Sequence, residues 1–142
     1  MAKGNRYRIY KAERCLDKLY FSSADAAQGY LDWVCRTKWW REHTTIRHIR
    51  LIYPTYHMSG AIKLDDKNAE LSIYATSLDA ATLCHEMSHL IAWYPGTNAE
   101  RDHNATFAGV YLEVVKRYMG VVCKEELIES FEEQGVKWTP YE

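Results

Sequence analysis

The sequence predicts a single α+β domain, with a small mixed sheet and helices packed on one side of it. The chain has 142 residues, enough for one core of ordinary domain size. Segments with strand-like patterns lie mostly before residue 75, and helical periodicity dominates after it. Separation of strands from helices along a chain is typical of the α+β class. Because no repeat or Pro/Gly-rich linker interrupts the sequence, residues 1–142 are treated as one domain.

The first elements are predicted to be a strand followed by a helix. The segment from Arg6 to Glu13 alternates in polarity, which indicates a strand. Ser22 or Ser23 is a suitable helix cap, and Asp25 would lie in the first turn. Apolar residues then recur at helical spacing, so we expect this helix to run to about Trp40.

Three strands are predicted in the middle of the chain. The first spans Ile46 to Tyr53 and ends at Pro54. Two shorter candidates, Ala61–Leu64 and Ala69–Tyr74, are separated by a polar segment of turn-forming residues. We therefore expect these two to form a hairpin.

The remainder of the chain is predicted to hold three helices, at 78–93, 103–118 and 124–134. Apolar residues recur at helical spacing in each. Gly120 and Gly135 follow the last two, in the position that glycine takes after a helix end.

Composition is that of a soluble globular protein, with 47% hydrophobic and 26% charged residues. The formal net charge of −1 provides no global attraction to nucleic acid or to an anionic membrane. Between Arg36 and Arg50, however, five Lys/Arg face one acidic residue, and this stretch includes Trp39 and Trp40. A nucleic-acid surface is one interpretation, but a solvated face and a core tryptophan pair are more typical of such stretches.

Four widely spaced cysteines form no CxxC pair, which argues against a disulfide framework and against a thiolate zinc site. The basic N-terminus is not followed by the apolar run of a signal peptide. No stretch approaches the roughly 18–20 apolar residues of a membrane span. We expect a cytoplasmic protein with no membrane association.

The motif that indicates chemistry is His85-Glu86-Met87-Ser88-His89, an H-E-x-x-H on a predicted helix. Residues four apart lie on one face of a helix, so both imidazoles can reach the same metal ion. Glu86 can then reach a water on that metal without being a ligand, and can take its proton during attack on a carbonyl group. The alternative is an amphipathic helix with two surface histidines, but the flanking residues are apolar.

A catalytic zinc requires three protein ligands and an open position. His103, at the start of the next predicted helix, is the best candidate for the third ligand. Glu100 is the main rival and Asp102 a weaker one. A histidine facing solvent at a helix start remains the alternative interpretation of His103.

The H-E-x-x-H motif, followed by a loop and by His103-Asn104-Ala105-Thr106-Phe107, resembles the zincin metallopeptidases of the SprT-like type. Those proteins carry H-E-x-x-H and a later H-G-x-x-F. The likeness is greatest to small metallohydrolases of actinobacteria and their phages, and it covers residues 78–120. Asn104 stands where that pattern has glycine. The segment beginning at Glu100 is also similar to the ImmA-like peptidases, whose third ligand is a glutamate.

This resemblance implies a zincin-like domain with an H-E-x-x-H active-site helix, Zn²⁺ on His85, His89 and His103, Glu86 as catalyst, and a peptide or protein substrate. It also implies that the strand before that helix, Ala69–Tyr74, is an edge that pairs with substrate. Oxyanion stabilisation would fall to Tyr74, Tyr94 or Tyr111, and the sequence does not choose among them. A non-peptidase metal hydrolase, and a nucleic-acid-associated or protein-binding module with a structural or idle zinc site, remain the alternatives.

Overall fold

The computed structural model describes residues 4–93 and 103–141. Over these residues the chain contains six α-helices, one short 3₁₀ turn at Glu13–Cys15 and a three-stranded sheet. The helices are α1 (Asn5–Ala12), α2 (Ala24–Arg36), α3 (Lys38–His43), α4 (Ala80–Ile91), α5 (Ala105–Met119) and α6 (Val121–Gln134). The strands are β1 (His48–Thr55), β2 (Gly60–Lys63) and β3 (Asn68–Tyr74). The predicted α+β class with a small mixed sheet is confirmed.

The sheet has the order β1-β3-β2, with β1 parallel and β2 antiparallel to β3. The predicted hairpin of β2 and β3 is confirmed, and Asp65 holds its turn by accepting hydrogen bonds from the backbone amides of Lys67 and Asn68 (both 2.8 Å). Because β3 lies in the middle of the sheet, the expectation that it is a substrate-pairing edge is wrong. The edges are β1 and β2.

One face of β3 is buried and the other is half-exposed, which follows from its alternating sequence. Ala69, Leu71 and Ile73 form the buried side. Helix α2 packs against β1, and α4 packs against β2 and β3. The helix that carries the H-E-x-x-H segment therefore packs on the sheet.

The N-terminal strand prediction is wrong, since residues 5–12 form α1. The buried side chains of this segment are Ile9 and Ala12, three residues apart, which is a helical and not a strand spacing. Of the other residues in this helix, Tyr7 and Lys11 are exposed, and the remainder are half-buried.

Helix α2 starts as predicted, with the Ser23 hydroxyl accepting a hydrogen bond from the Ala26 amide (3.0 Å). It ends earlier than predicted, because Thr37 adopts an extended conformation (ψ 147°) before α3 begins. Trp40 is fully buried and its indole donates to the Ile46 carbonyl (2.9 Å), so the core interpretation of this tryptophan is confirmed. Strand β1 continues through Pro54, which an edge strand tolerates.

The chain divides into two compact units. One comprises Lys18–Ile91 and contains the sheet with α2, α3 and α4; the other comprises the described residues of Met1–Asp17 and Ala92–Glu142. In the second unit, α1 and α5 both pack against α6. Its aromatic core is a chain of ring contacts that links Phe107, Tyr111, Phe131 and Trp138. The single-domain assignment over residues 1–142 stays a prediction.

Helices α5 and α6 end as predicted, at Gly120 (φ 107°) and Gly135 (φ 71°), where a positive φ favours glycine. None of the helices in residues 4–93 and 103–141 combines the length and apolar character that crossing a bilayer requires.

Candidate metal centre

Helix α4 carries His85, Glu86 and His89, and its start is fixed by Asp79. The Asp79 carboxylate is fully buried and accepts hydrogen bonds from the amide (2.8 Å) and the hydroxyl (3.1 Å) of Thr82. A side chain that accepts from an amide three residues later is the typical helix cap. This cap sets where the helix begins, and so which way the residues one to two turns later point.

The two histidines of α4 lie on one face of the helix, as their spacing predicts. Their ring centroids are 5.2 Å apart, with the ring planes at 62°. His85 is 3% exposed and Glu86 6%, while His89 is half-buried. The alternative of two solvent-exposed histidines on an amphipathic surface helix therefore does not describe this segment.

His103 lies just before α5 and is also buried, with 5% exposure. Its ring packs against the rings of Tyr10 (centroids 5.3 Å apart) and Phe107 (5.0 Å apart). Its carbonyl accepts a hydrogen bond from the Asn5 side-chain amide (2.9 Å). The interpretation of His103 as a helix-start histidine facing solvent is therefore excluded.

Asn104, which departs from the glycine of the resembling families, is the cap of α5. Its side-chain oxygen accepts a hydrogen bond from the Phe107 amide (3.0 Å), and its backbone is extended (φ −78°). Asparagine is at least as good a cap as glycine, and this conformation does not require glycine. The departure from the pattern thus leaves the position of the neighbouring His103 intact.

Ring nitrogens of His85, His89 and His103, one from each residue, all lie within 4.8 Å of one another, and this group could hold a metal ion. Ligand atoms around a tetrahedral zinc with bonds of about 2.0–2.1 Å are separated by about 3.4 Å. That spacing is compatible with three ring nitrogens within 4.8 Å of one another. Three imidazoles suit zinc, and also copper, iron and nickel. The residues present therefore fit a zinc ion, and the donor set alone does not select it.

Glu86 is not one of the grouped side chains, although it is next to His85 in sequence. Of the other candidates, Glu100, Asp102 and Tyr94 lie outside the described residues.

Two tyrosines considered for oxyanion stabilisation have different surroundings. Tyr111 is fully buried, and its hydroxyl donates to a carboxylate oxygen of Glu13 (2.7 Å), which explains its burial without a catalytic role. Tyr74 is 39% exposed at the end of β3. No assignment of an oxyanion donor follows from these contacts.

The basic stretch from residue 36 to 50 is partly used inside the protein. The Arg47 guanidinium donates to the backbone carbonyls of Arg41, Thr44 and Ile46. Arg50 pairs with Glu70 at 3.5 Å. Arg47 thus has a structural role, whereas the Arg50 side chain stays 75% exposed.

Sequence reasoning missed Asn5, Tyr10 and Asp79. Tyr10 lies in the segment from Arg6 to Glu13 that is predicted to be a strand, and Asn5 comes just before it. Both are about a hundred residues away from His103, so no local pattern could reveal their contacts with it. Asp79 was within reach, because Asp is a preferred N-cap residue, but the predicted helix starts at residue 78 and so includes Asp79 in its interior.

Comparison of the chain with protein-family models, with curated proteins and with solved structures finds no match.

Proposed function

We propose that this protein is a zinc-dependent hydrolase that cleaves amide bonds, with a peptide as the substrate. The observation that carries the proposal is the grouping of His85, His89 and His103 with a buried, non-grouped Glu86 beside the first of them. A purely structural zinc site has no use for a buried carboxylate next to its ligands.

In this proposal the three histidines hold the ion through neutral ring nitrogens. Zinc, when bound, polarises a carbonyl group and lowers the pKa of a coordinated water to about 7. Glu86 accepts the proton of the attacking water and passes it on to the leaving amine. Burial of this carboxylate matters because charge interactions are stronger away from bulk water.

The first experiment is metal analysis by mass spectrometry on purified wild type, His85→Ala, His89→Ala, His103→Ala and Glu86→Gln. We expect about one zinc per chain in the wild type and in Glu86→Gln, and loss of zinc in the three alanine variants. His57→Ala is the matched control, because His57 is exposed and outside the group, and it should retain its zinc.

Hydrolysis is then measured with a library of quenched fluorescent peptides. Activity should appear in the wild type, survive in His57→Ala and fall by at least about a hundredfold in Glu86→Gln, as expected for removal of a general base. Absence of zinc from reconstituted wild type would refute the metal centre. Full zinc in His103→Ala would refute the three-histidine assignment, and equal activity in Glu86→Gln would refute the catalytic role.

Zinc that is present without peptide cleavage would refute the peptidase proposal and favour the other candidates, a hydrolase of a different amide or an idle site.

A further inference from the structure

The N-terminal helix α1 contacts His103 twice, through its first residue and through a residue near its end. We propose that Asn5 and Tyr10 are positioning residues for the third metal ligand, so that α1 is required for tight metal binding. The inference rests on the proposed function, since it assigns these residues to the same zinc centre.

The contact of Asn5 is with the backbone of His103. This residue precedes the cap of α5, so its carbonyl lies outside the hydrogen-bond ladder of that helix and needs another donor. The Asn5 amide supplies it at 2.9 Å. One residue later, the Asn104 side chain accepts from the Phe107 amide. The backbone on which the imidazole is mounted is therefore held at two successive positions.

The contact of Tyr10 is with the ring of His103. Tyr10 packs on the imidazole with the planes at 58°, and Phe107 packs on it at 64°. An imidazole in contact with two such rings, with 5% of the residue exposed, cannot turn without losing aromatic contact. Arg6 in turn lies over Tyr10, with its guanidinium carbon 5.6 Å from the ring centroid.

A fixed ring orientation is what a metal ligand requires. Residues that orient a ligand without touching the metal commonly contribute tenfold to a hundredfold to metal affinity. Asn5 fixes the position of the His103 backbone, and Tyr10 fixes the orientation of its ring. Both determine where the ligand nitrogen lies.

Helix α1 is also attached elsewhere, which provides a control. The Ser130 hydroxyl of α6 donates to the carbonyl of Ala12 at the other end of α1 (2.6 Å). Ser130→Ala removes a side-chain hydrogen bond to this segment, as Asn5→Ala does, but without touching His103. A merely structural role for α1 predicts that both variants behave alike.

The experiment measures zinc affinity of the full chain by competition with a chromophoric chelator, and the melting temperature of the metal-free protein. We expect Asn5→Ala and Tyr10→Leu to bind zinc about 10–100-fold more weakly than wild type. Tyr10→Phe, which keeps the ring, should bind normally. Ser130→Ala should lower the melting temperature while leaving zinc affinity unchanged. Cobalt substitution gives a second readout, since a displaced ligand changes the visible absorption of bound Co²⁺.

Normal zinc affinity in Asn5→Ala and Tyr10→Leu, or an equal loss in Ser130→Ala, would overturn the inference. If Asn5→Ala does not fold, Asn5→Asp keeps the size of the side chain and replaces the donor with an acceptor, and it should lose affinity as well. Absence of zinc from the wild type would instead refute the proposed function. Zinc that depends on His103 but not on Asn5 or Tyr10 would leave the metal centre standing and remove only the positioning role.

Discussion

Hydrogen bonds from single polar side chains stabilise the first turns of the two helices that carry the candidate site, and the interior of one of them. Asp79 caps α4 and Asn104 caps α5, each by accepting an amide hydrogen bond three residues later. Within α4, the buried Ser88 hydroxyl donates to the Cys84 carbonyl (2.7 Å), which satisfies a polar group placed between the two histidines. Asp79 and Ser88 are fully buried, so each needs its hydrogen-bond partner inside the protein.

Cys35 gives a prediction about reactivity. Burial, assisted by the negative charge of Asp32, raises the pKa of this thiol to about 11. The thiolate is the reactive form, so at pH 8 only about one Cys35 in a thousand is ready to react. Iodoacetamide should modify exposed Cys15 well before Cys35 at pH 8, and the rate at Cys35 should rise steeply with pH.

Mass spectrometry of the modified peptides gives the two rates. In guanidinium chloride both cysteines should react alike, which is the control. Equal modification of Cys15 and Cys35 in the native protein at pH 8 would contradict the burial of Cys35.

At the scale of elements, some sequence signals predicted the observed helices and strands and others did not. Helix boundaries with a local cap were predicted well, as at Ser23, Gly120 and Gly135. Helix α1 was not predicted as a helix. It has eight residues and only two buried positions, and so short a pattern fits a strand as well as a helix. The order of the strands was also missed, since pairing of β1 with β3 depends on contacts that no local pattern encodes.

Two glycines in helices predict opposite outcomes of the same substitution. A Cβ on Gly109 of α5 would lie 1.7 Å from the backbone oxygen of Thr139, whose amide donates to the Ala105 carbonyl (3.0 Å). Gly109→Ala must therefore displace the C-terminal segment, at a cost of about 1–3 kcal/mol. In α2, a Cβ on Gly29 meets nothing within 4 Å, so Gly29→Ala should stabilise by about 0.5–1 kcal/mol.

Urea denaturation of the two variants and of wild type measures both effects. The Gly29 variant is the control for the intrinsic preference of helices for alanine. A Gly109→Ala variant as stable as wild type would show that the C-terminal segment does not pack against α5.

For the molecule as a whole, a bound metal should raise the free energy of unfolding. A ligand that binds only the folded state stabilises it by about 2.7 kcal/mol when present at a hundred times its dissociation constant. For a chain of this size that corresponds to a rise in melting temperature of roughly 5–10 °C. Treatment with a chelator should remove this increment, and zinc should restore it.

Calorimetry with and without zinc tests this expectation. His89→Ala should melt at the same temperature in both conditions, whereas His57→Ala should respond as wild type does. A wild type that melts identically with and without zinc would contradict a metal centre formed by the folded chain.

The sequence predicted those parts of the candidate centre whose residues are close together in the chain. His85, Glu86 and His89 are set by one helix, and their spacing alone places them on adjoining parts of it. His103 was identified from residue type and position, but its surroundings were not, because Asn5 and Tyr10 reach it from the far end of the chain. His103 is the third-ligand candidate that the structure places in the group, and its rival Glu100 lies outside the described residues.

The central position of β3 also has a consequence for how the sheet assembles. Its partners on β2 are near in sequence, with Lys63 opposite Ala69, whereas its partners on β1 are distant, with His48 opposite Asn68. Closing the longer connection costs about 1 kcal/mol more in chain entropy. The hairpin around Asp65 is thus the easier part to form, and it presents β3 as a template to which β1 adds last. Helix α4 therefore packs on the part of the sheet that is local in sequence, whereas α2, which packs against β1, depends on the most distant pairing in the sheet.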